Sequence, residues 1–379
     1  MSGATAVAAN ASAAAHAGSQ VFAPSPGETA ATAVDALVAG VLALAAIDPS
    51  VLFCSATILL GGTGEGLLAV DGRARQPGLG APRPRGSVEG GAVPEAARIS
   101  VPVLPSALAV AHAGRGERTL SSLARVALAT VEADGGLDEA RANVVKAYGR
   151  EGATFLRKGA LRDAILVAAA RSKGGLLTGD DLDAVHATIE RASVVEVGVR
   201  RWALAPFGTR VGQGLSFPSD PLPPRAAAEA SSYILATADG RGAVAIAILE
   251  RPPSAAPLPA FGLALPLLAH PVMRGVTREA PGSPLPMSTS VGISLREGRV
   301  DLAIGVGGDG DGEEIFVDLA RALSQREATI DASVAAPRVR RGGEERAEGE
   351  LEASFGVAVG VSLDVRDRAR PVADPRARR

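Results

Sequence analysis

Ala230-Ser231-Ser232-Tyr233-Ile234-Leu235-Ala236-Thr237-Ala238-Asp239-Gly240-Arg241-Gly242-Ala243-Val244-Ala245-Ile246-Ala247 is the stretch that decides the fold. A β-rich run from Tyr233 meets Asp239-Gly240, a turn pair suited to positive φ, and a second apolar run follows to Leu249. This predicts a hairpin. Two small hydroxyl residues stand at its head, after the Pro-rich segment Phe217 to Arg225. A hydroxyl that starts a buried strand can become an N-terminal nucleophile if the bond before it is cut, because the freed α-amine then serves as its base. Alternatively, Ser231 and Ser232 simply start a strand.

Outward from the hairpin, the 379 residues suffice for one large domain or two ordinary ones. Aromatics are only 3%, so the core must be built from Ala, Val, Leu and Ile. The formal net charge of −2 gives no global attraction to nucleic acid or anionic membrane. The basic run Arg366 to Arg379 reads as a solvated, frayed end. A single cysteine, Cys54, excludes an intrachain disulfide and reads as a buried small hydrophobe. The four histidines lack metal-ligand spacing, so no metal and no cofactor are expected. The N-terminus has no positively charged n-region. The apolar segment Ala30 to Ile47 is short for a membrane span and contains Asp35. A cytoplasmic protein is the expectation.

In chain order, residues 1–27 read as a loose start or a small helix. A helix opens at Glu28 or Thr29 and closes before Pro49. Val51 to Leu60 and Gly66 to Val70 read as strands joined by Gly61-Gly62-Thr63-Gly64. No Lys-Ser/Thr follows that loop, so it is not a P-loop. Gln76 to Val93 reads as loop. Helices are predicted over Pro105 to Ala113, Leu120 to Ala133, Leu137 to Gly149, Ala160 to Ser172 and Gly179 to Ala192, the last capped at Thr178. Val194 to Ala205 reads as strand, Pro252 to Pro259 as loop, and Leu263 to Leu268 as an apolar run. Val291 to Leu295 and Val300 to Gly305 read as strands. Gly307-Gly308 follows, then the acidic turn Asp309 to Gly312, which lacks the EF-hand glutamate because position 320 is Ala. Glu313 to Leu323 reads as helix and Leu351 to Val365 as a last strand. The pattern predicts an α+β layered sandwich.

Placed in order, these pieces resemble the gamma-glutamyltranspeptidase family of N-terminal-nucleophile hydrolases. Ala33-Val34-Asp35-Ala36-Leu37-Val38-Ala39 is similar to that family's Asn-Ala-Val-Asp-Ala-Ala helix. Asp71-Gly72-Arg73-Ala74-Arg75-Gln76-Pro77 is similar to its Asp-Gly-Arg-Glu-x-x-Pro turn. Val101-Pro102 with Ala107-Leu108 is similar to its Val-Pro-Gly helix start, and Gly175-Leu176-Leu177-Thr178 with Asp181-Leu182 to its Gly-x-Leu-Thr-x-x-Asp-Leu. Ile330-Asp331-Ala332 and Ala336-Pro337-Arg338 resemble its Ala-Ile-Asp-Ala-Pro-Arg ending. The resemblance implies a four-layer αββα sandwich. It also implies a division at residue 231, into a large-subunit-like half (1–230) and a small-subunit-like half (231–379) that form one composite domain. It implies self-cleavage before Ser231, Ser231 as nucleophile, Gly307 and Gly308 as oxyanion hole, and Arg73 gripping a substrate carboxylate. A guanidinium fork suits that last task. The substrate would be a small γ-glutamyl amide such as glutathione.

The departures concentrate on the polar groups that would touch substrate. The family's histidine two residues after the nucleophile is Tyr233. Its second threonine and asparagine fall at Leu249 and Arg251. Its Asn-Asn and acidic positions fall at Ala269, His270 and Pro271. Its Ser-Ser pair falls at Pro286-Met287, with Ser288 nearby, and its glycine-rich turn reads Phe53-Cys54-Ser55-Ala56-Thr57. The stretch 179–230 is shorter than the family's. Two readings result: a non-catalytic or weakly active scaffold, or a shortened γ-glutamyl hydrolase or transferase. In the first, Tyr233 and Leu249 fill the interior beside Ser231 and the chain stays intact. Neither reading involves nucleic acid or membrane, and the oligomeric state stays open.

Overall fold

The computed structural model describes residues 4–379 apart from 24–26, 28, 63, 83, 85, 89, 208–214, 216–230, 310–311, 341–345, 350–351, 353–354, 367, 373 and 379. The Pro-rich segment before the hairpin and Ala230 therefore lie outside the described residues, as does part of the acidic turn.

The strands are β1 (Ala6–Ala9), β2 (Ser55–Gly62), β3 (Glu65–Gly72), β4 (Thr188–Arg191), β5 (Ser193–Val197), β6 (Arg200–Leu204), β7 (Ser231–Ala238), β8 (Ala243–Arg251), β9 (Ala255–Leu258), β10 (Leu263–Pro266), β11 (Val291–Arg296), β12 (Arg299–Asp309), β13 (Val339–Arg340), β14 (Arg346–Ala347), β15 (Val357–Leu363) and β16 (Ala369–Val372). The helices are α1 (Ser12–Val21), α2 (Ala33–Ile47), α3 (Leu104–Arg115), α4 (Leu120–Ala133), α5 (Glu139–Glu151), α6 (Ala160–Ala168), α7 (Gly179–Asp183), α8 (Gly312–Leu323) and α9 (Ile330–Ala335).

Two antiparallel sheets stack. In one, the order is β4-β3-β2-β8-β7, with β1 against β7; in the other it is β5-β6-β11-β12-β15-β16. β12 joins them, because its last residues pair with the first of β7, Gly308 with Ser232 and Asp309 with Ser231. Strand alternation then builds three cores. Leu235, Ala247 and Leu249 face the helices α1 to α6, whereas Ile234, Ile246 and Ile248 meet Ile293, Val359 and Val361 of the second sheet. Leu302, Ile304 and Val306 face Phe316 and Leu319 of α8. The layers are therefore α, β, β, α, as the sequence implied, and residues from both sides of position 231 share the first sheet.

Helix α2 is apolar on every side and buried throughout its first fourteen residues, Ala33 to Ala46, so it runs inside the helical layer. No helix among the described residues is long and apolar enough to cross a membrane. Its start is set by Thr32 and Asp35, which cap each other's backbone reciprocally, so it begins later than Thr29. Asp35 also accepts the Glu117 and Arg118 N–H groups.

Other elements differ from expectation for local reasons. The hairpin holds, but its left-handed residue is Gly242 (φ 82°), not Gly240. Asp239 N–H donates to Ala243 O at 3.0 Å, which closes a three-residue loop whose last position must be left-handed. The Asp239 carboxylate accepts from Arg241 N–H at 2.9 Å and Ala243 N–H at 3.1 Å, so local side-chain bonding fixes the turn. The helix predicted to Ala192 stops at Asp183, and Thr188 to Arg191 pairs with β3 instead. Residues 255–258, read as loop, pair with β10.

The basic end is not frayed. β16 pairs with β15, and Arg376 is wholly buried. Arg376 Nε and Nη1 reach Glu348 Oε1 and Asp374 Oδ1 at 2.7 and 3.2 Å, and Arg338 Nη2 reaches Asp374 Oδ2 at 2.6 Å. Arg338 belongs to the family-like Ala-Pro-Arg motif, which here clasps the C-terminal segment to the second sheet.

Candidate functional site

Four strand ends meet around Ser231. Across β7 and β8, Ser231 faces Arg251, Ser232 faces Glu250 and Tyr233 faces Leu249. Across β8 and β2, Glu250 faces Ser55, and Ala56 in turn faces Gly72 at the end of β3. Arg73 thus leaves the same end of the sheet, three strands from β7, or roughly 14 Å at the usual strand spacing.

The glycine pair comes close to the hydroxyls for a steric reason. A Cβ on Gly307 would lie 2.6 Å from Ile234 Cγ1 and 3.1 Å from Ser232 O. Gly308 has φ 112°, a conformation that L side chains rarely adopt. Only two glycines let β12 press against β7 here. Asn10, which follows β1 on the same edge of β7, locks the same point, donating to Ser232 O at 2.8 Å and accepting from Ile234 N–H at 2.9 Å.

Arg73 is held differently. Its Nε and Nη2 donate to the two oxygens of Asp71 at 2.9 and 3.0 Å, a bidentate pair. Its guanidinium lies 4.8 Å from the ring centre of Phe207, a residue of the core between the sheets. Burial alone would raise the Asp71 pKa, but the hydrogen bonds and charge of Arg73 outweigh it and hold this carboxyl below its ordinary range.

Ser231 lies on the opposite face. Alternation puts it with Tyr233 and Leu249, toward the helices, while Ser232, Glu250 and Ser55 share the inter-sheet side. Leu249 is fully buried. Tyr233 is half-buried, and its hydroxyl donates to Asp48 Oδ2 at 3.1 Å. Arg251 Nε also reaches Asp48 Oδ2, at 2.9 Å, and its guanidinium stacks over the Tyr233 ring. Burial, then the Asp48 charge, pushes the Tyr233 phenol up to about 12. Burial pushes the nearby Cys54 thiol well up too, with help from Asp48 and Glu250, so it is an inert packing group.

The structure therefore brings Ser231 and Ser232 together with Gly307 and Gly308 but does not turn Arg73 onto the face of Ser231. Sequence reasoning missed Asp48 and Glu250. Their signal was a carboxylate at the end of an apolar run, where a strand or helix end opens toward a site. Asp181, in contrast, is explained by the backbone: it accepts from Gly78, Leu79 and Thr178 N–H groups at 2.9, 2.9 and 2.8 Å, fastening the loop after Arg73.

No family model matches the chain, and no curated protein matches it. Solved structures do. A protein named LmbA2991HD superposes with a TM-score of 0.75 at 16% identity, covering 100% of this chain and 97% of its own. The cephalosporin acylase from Bacillus halodurans gives 0.71 at 15% identity, covering 98% and 96%. A gamma-glutamyltranspeptidase from Pseudomonas nitroreducens overlaps 54% of this chain and 72% of its own, with a TM-score of 0.45 at 18% identity. The first two likenesses, end to end, establish the architecture derived above: the chain has the four-layer αββα fold of the N-terminal-nucleophile hydrolase type, shared over its whole length with LmbA2991HD and the cephalosporin acylase.

Proposed function

We propose that this chain is a non-catalytic or weakly active relative of the gamma-glutamyltranspeptidase-like hydrolases, retained as a folded scaffold. One observation carries the reading. The candidate nucleophile and the candidate carboxylate grip do not converge: Ser231 falls on the helix-facing side of β7, while Arg73 is closed on Asp71 over the inter-sheet residue Phe207. Leu249 and Tyr233 support it, because the first offers no hydrogen bond and the second is committed to Asp48. A lost donor in an oriented acyl-transfer site costs about 10²–10³ in rate. The test is release of p-nitroaniline from γ-glutamyl-p-nitroanilide. The reading expects the rate of the Ser231→Ala variant to equal that of the unaltered chain. Turnover that disappears in the variant would overturn it.

The second reading rests on the glycine pair beside the two hydroxyls. In it, Ser231 Oγ attacks the Ala230 carbonyl, the amide becomes an ester, and water releases the upstream segment. The freed α-amine then takes the Ser231 proton as Oγ attacks a glutathione-like γ-glutamyl amide, with Gly307 and Gly308 N–H groups holding the oxyanion. The C–N bond breaks, the amine leaves with that proton, and water hydrolyses the γ-glutamyl ester to restore Ser231. No cofactor enters either scheme.

A further inference from the structure

We propose that the cavity beside Arg75 binds a small aliphatic carboxylate. The cavity holds about 320 Å³, and Leu79, Val101 and Val185 form its apolar walls, with Arg75, Asp181 and His186 as its charged or polar lining. Neither Arg73, Ser231, Gly307 nor Gly308 lines it. The volume is near the small end of ligand pockets, which run to about 300–1,000 Å³.

Arg75 is fixed before any ligand arrives. Its backbone N–H and C=O both bond Val101, each at 3.0 Å. Its Nη2 donates to Asp71 Oδ2 at 3.1 Å. That carboxylate is already chelated by Arg73, so one negative charge sits between two guanidinium groups. The Nε and Nη1 of Arg75 have no partner among the described residues. A pre-positioned guanidinium with open N–H groups matches a planar carboxylate, and two parallel bonds can form.

The other acid of the cavity does not compete for this arginine. Asp181 spends its oxygens on the N–H groups of Gly78, Leu79 and Thr178 and on the Thr178 hydroxyl. A phosphate dianion would need more cationic partners than one half-used arginine supplies. The apolar walls select an alkyl chain over a second polar group.

Valerate is the probe, titrated calorimetrically into the full chain, with valeramide and inorganic phosphate as comparisons. Valerate should bind saturably, with valeramide and phosphate each at least about ten-fold weaker, the loss expected when a charge-assisted bond worth over 1.4 kcal/mol goes. Arg75→Gln should weaken valerate by a similar factor. Val185→Trp, which fills the cavity and leaves Arg75 unsubstituted, should abolish binding while the circular dichroism stays unchanged. Absence of saturation in the unaltered chain, equal affinity for valerate and valeramide, phosphate binding as tightly as valerate, or undiminished binding by Val185→Trp would each overturn the proposal. No turnover is read, so the result stands apart from the fate of Ser231.

Discussion

Two carboxylate–arginine assemblies in this molecule look alike on paper and differ in closure. At the C-terminus, Arg376 is wholly buried, and its N–H groups reach Glu348, Asp374 and the carbonyls of Val334 and Ala336. At the end of β3, Asp71 is shared by Arg73 and Arg75, and Arg75 keeps open N–H groups beside a cavity. The first is a closed clasp with nothing left to recognise; the second is strained for carboxylates and has room for one more. Both contain residues of family-like motifs. The motif alone therefore does not tell a clasp from a grip; the hydrogen-bond inventory of each guanidinium does.

The largest expected effect is on the clasp. Arg376→Met leaves Glu348 buried without its arginine partner, while Asp374 keeps Arg338, and should cost about 3–5 kcal/mol in urea unfolding. Leu249→Ala comes next, at about 2–5 kcal/mol, because it opens a void under β8 where the interior is full. A value near zero would mean that the space beside Tyr233 is open, which would favour the enzyme reading. Arg73→Met should cost less than the clasp variant, about 1.5–3 kcal/mol, because Asp71 keeps Arg75. A cost above that of Arg376→Met would break the comparison. The Asp71 pKa is lowered on folding, so its contribution is present above the ordinary carboxylate range and fades as pH falls through the depressed value. Arg73→Met should therefore lose less stability, relative to the unaltered chain, in acid than at neutrality.

The smallest effect is spectroscopic. The chain has two tyrosines, and both phenols are pushed up by burial, Tyr148 further than Tyr233. Alkaline titration of the folded protein should show no phenolate step near pH 10 and a first step at about 12. A raised pKa stabilises the fold below the ordinary value near 10, and that contribution is lost as pH rises through 12. A step near 10 would place Tyr233 in water and remove the Asp48 contact from the account.

The layers were legible because alternation is hard to disguise: Ile234 and Leu235, or Ile248 and Leu249, must face different cores. The motif aspartates were legible as positions but not as tasks. Asp35 and Asp181 also hold N–H groups of distant loops, at Glu117 and Leu79, which no spacing rule reveals. The α7 boundary and the fate of the basic end were not legible, because strand pairing with β3 and burial against Glu348 are decided by distant residues. Which face Arg73 would take was equally hidden. It depends on Asp71 two residues earlier and on Phe207, far along the chain.

The central claim is that the fold stands without the chemistry, and the intact mass of the purified chain tests it most directly. Self-cleavage would need Ser231 to attack Ala230 with a base and an oxyanion site already in place. Leu249, where the resemblance would put the helping hydroxyl, is buried in the helical core. The account predicts one species with the mass of all 379 residues. Two species of 230 and 149 residues (379 − 230), absent from a Ser231→Ala variant, would contradict it.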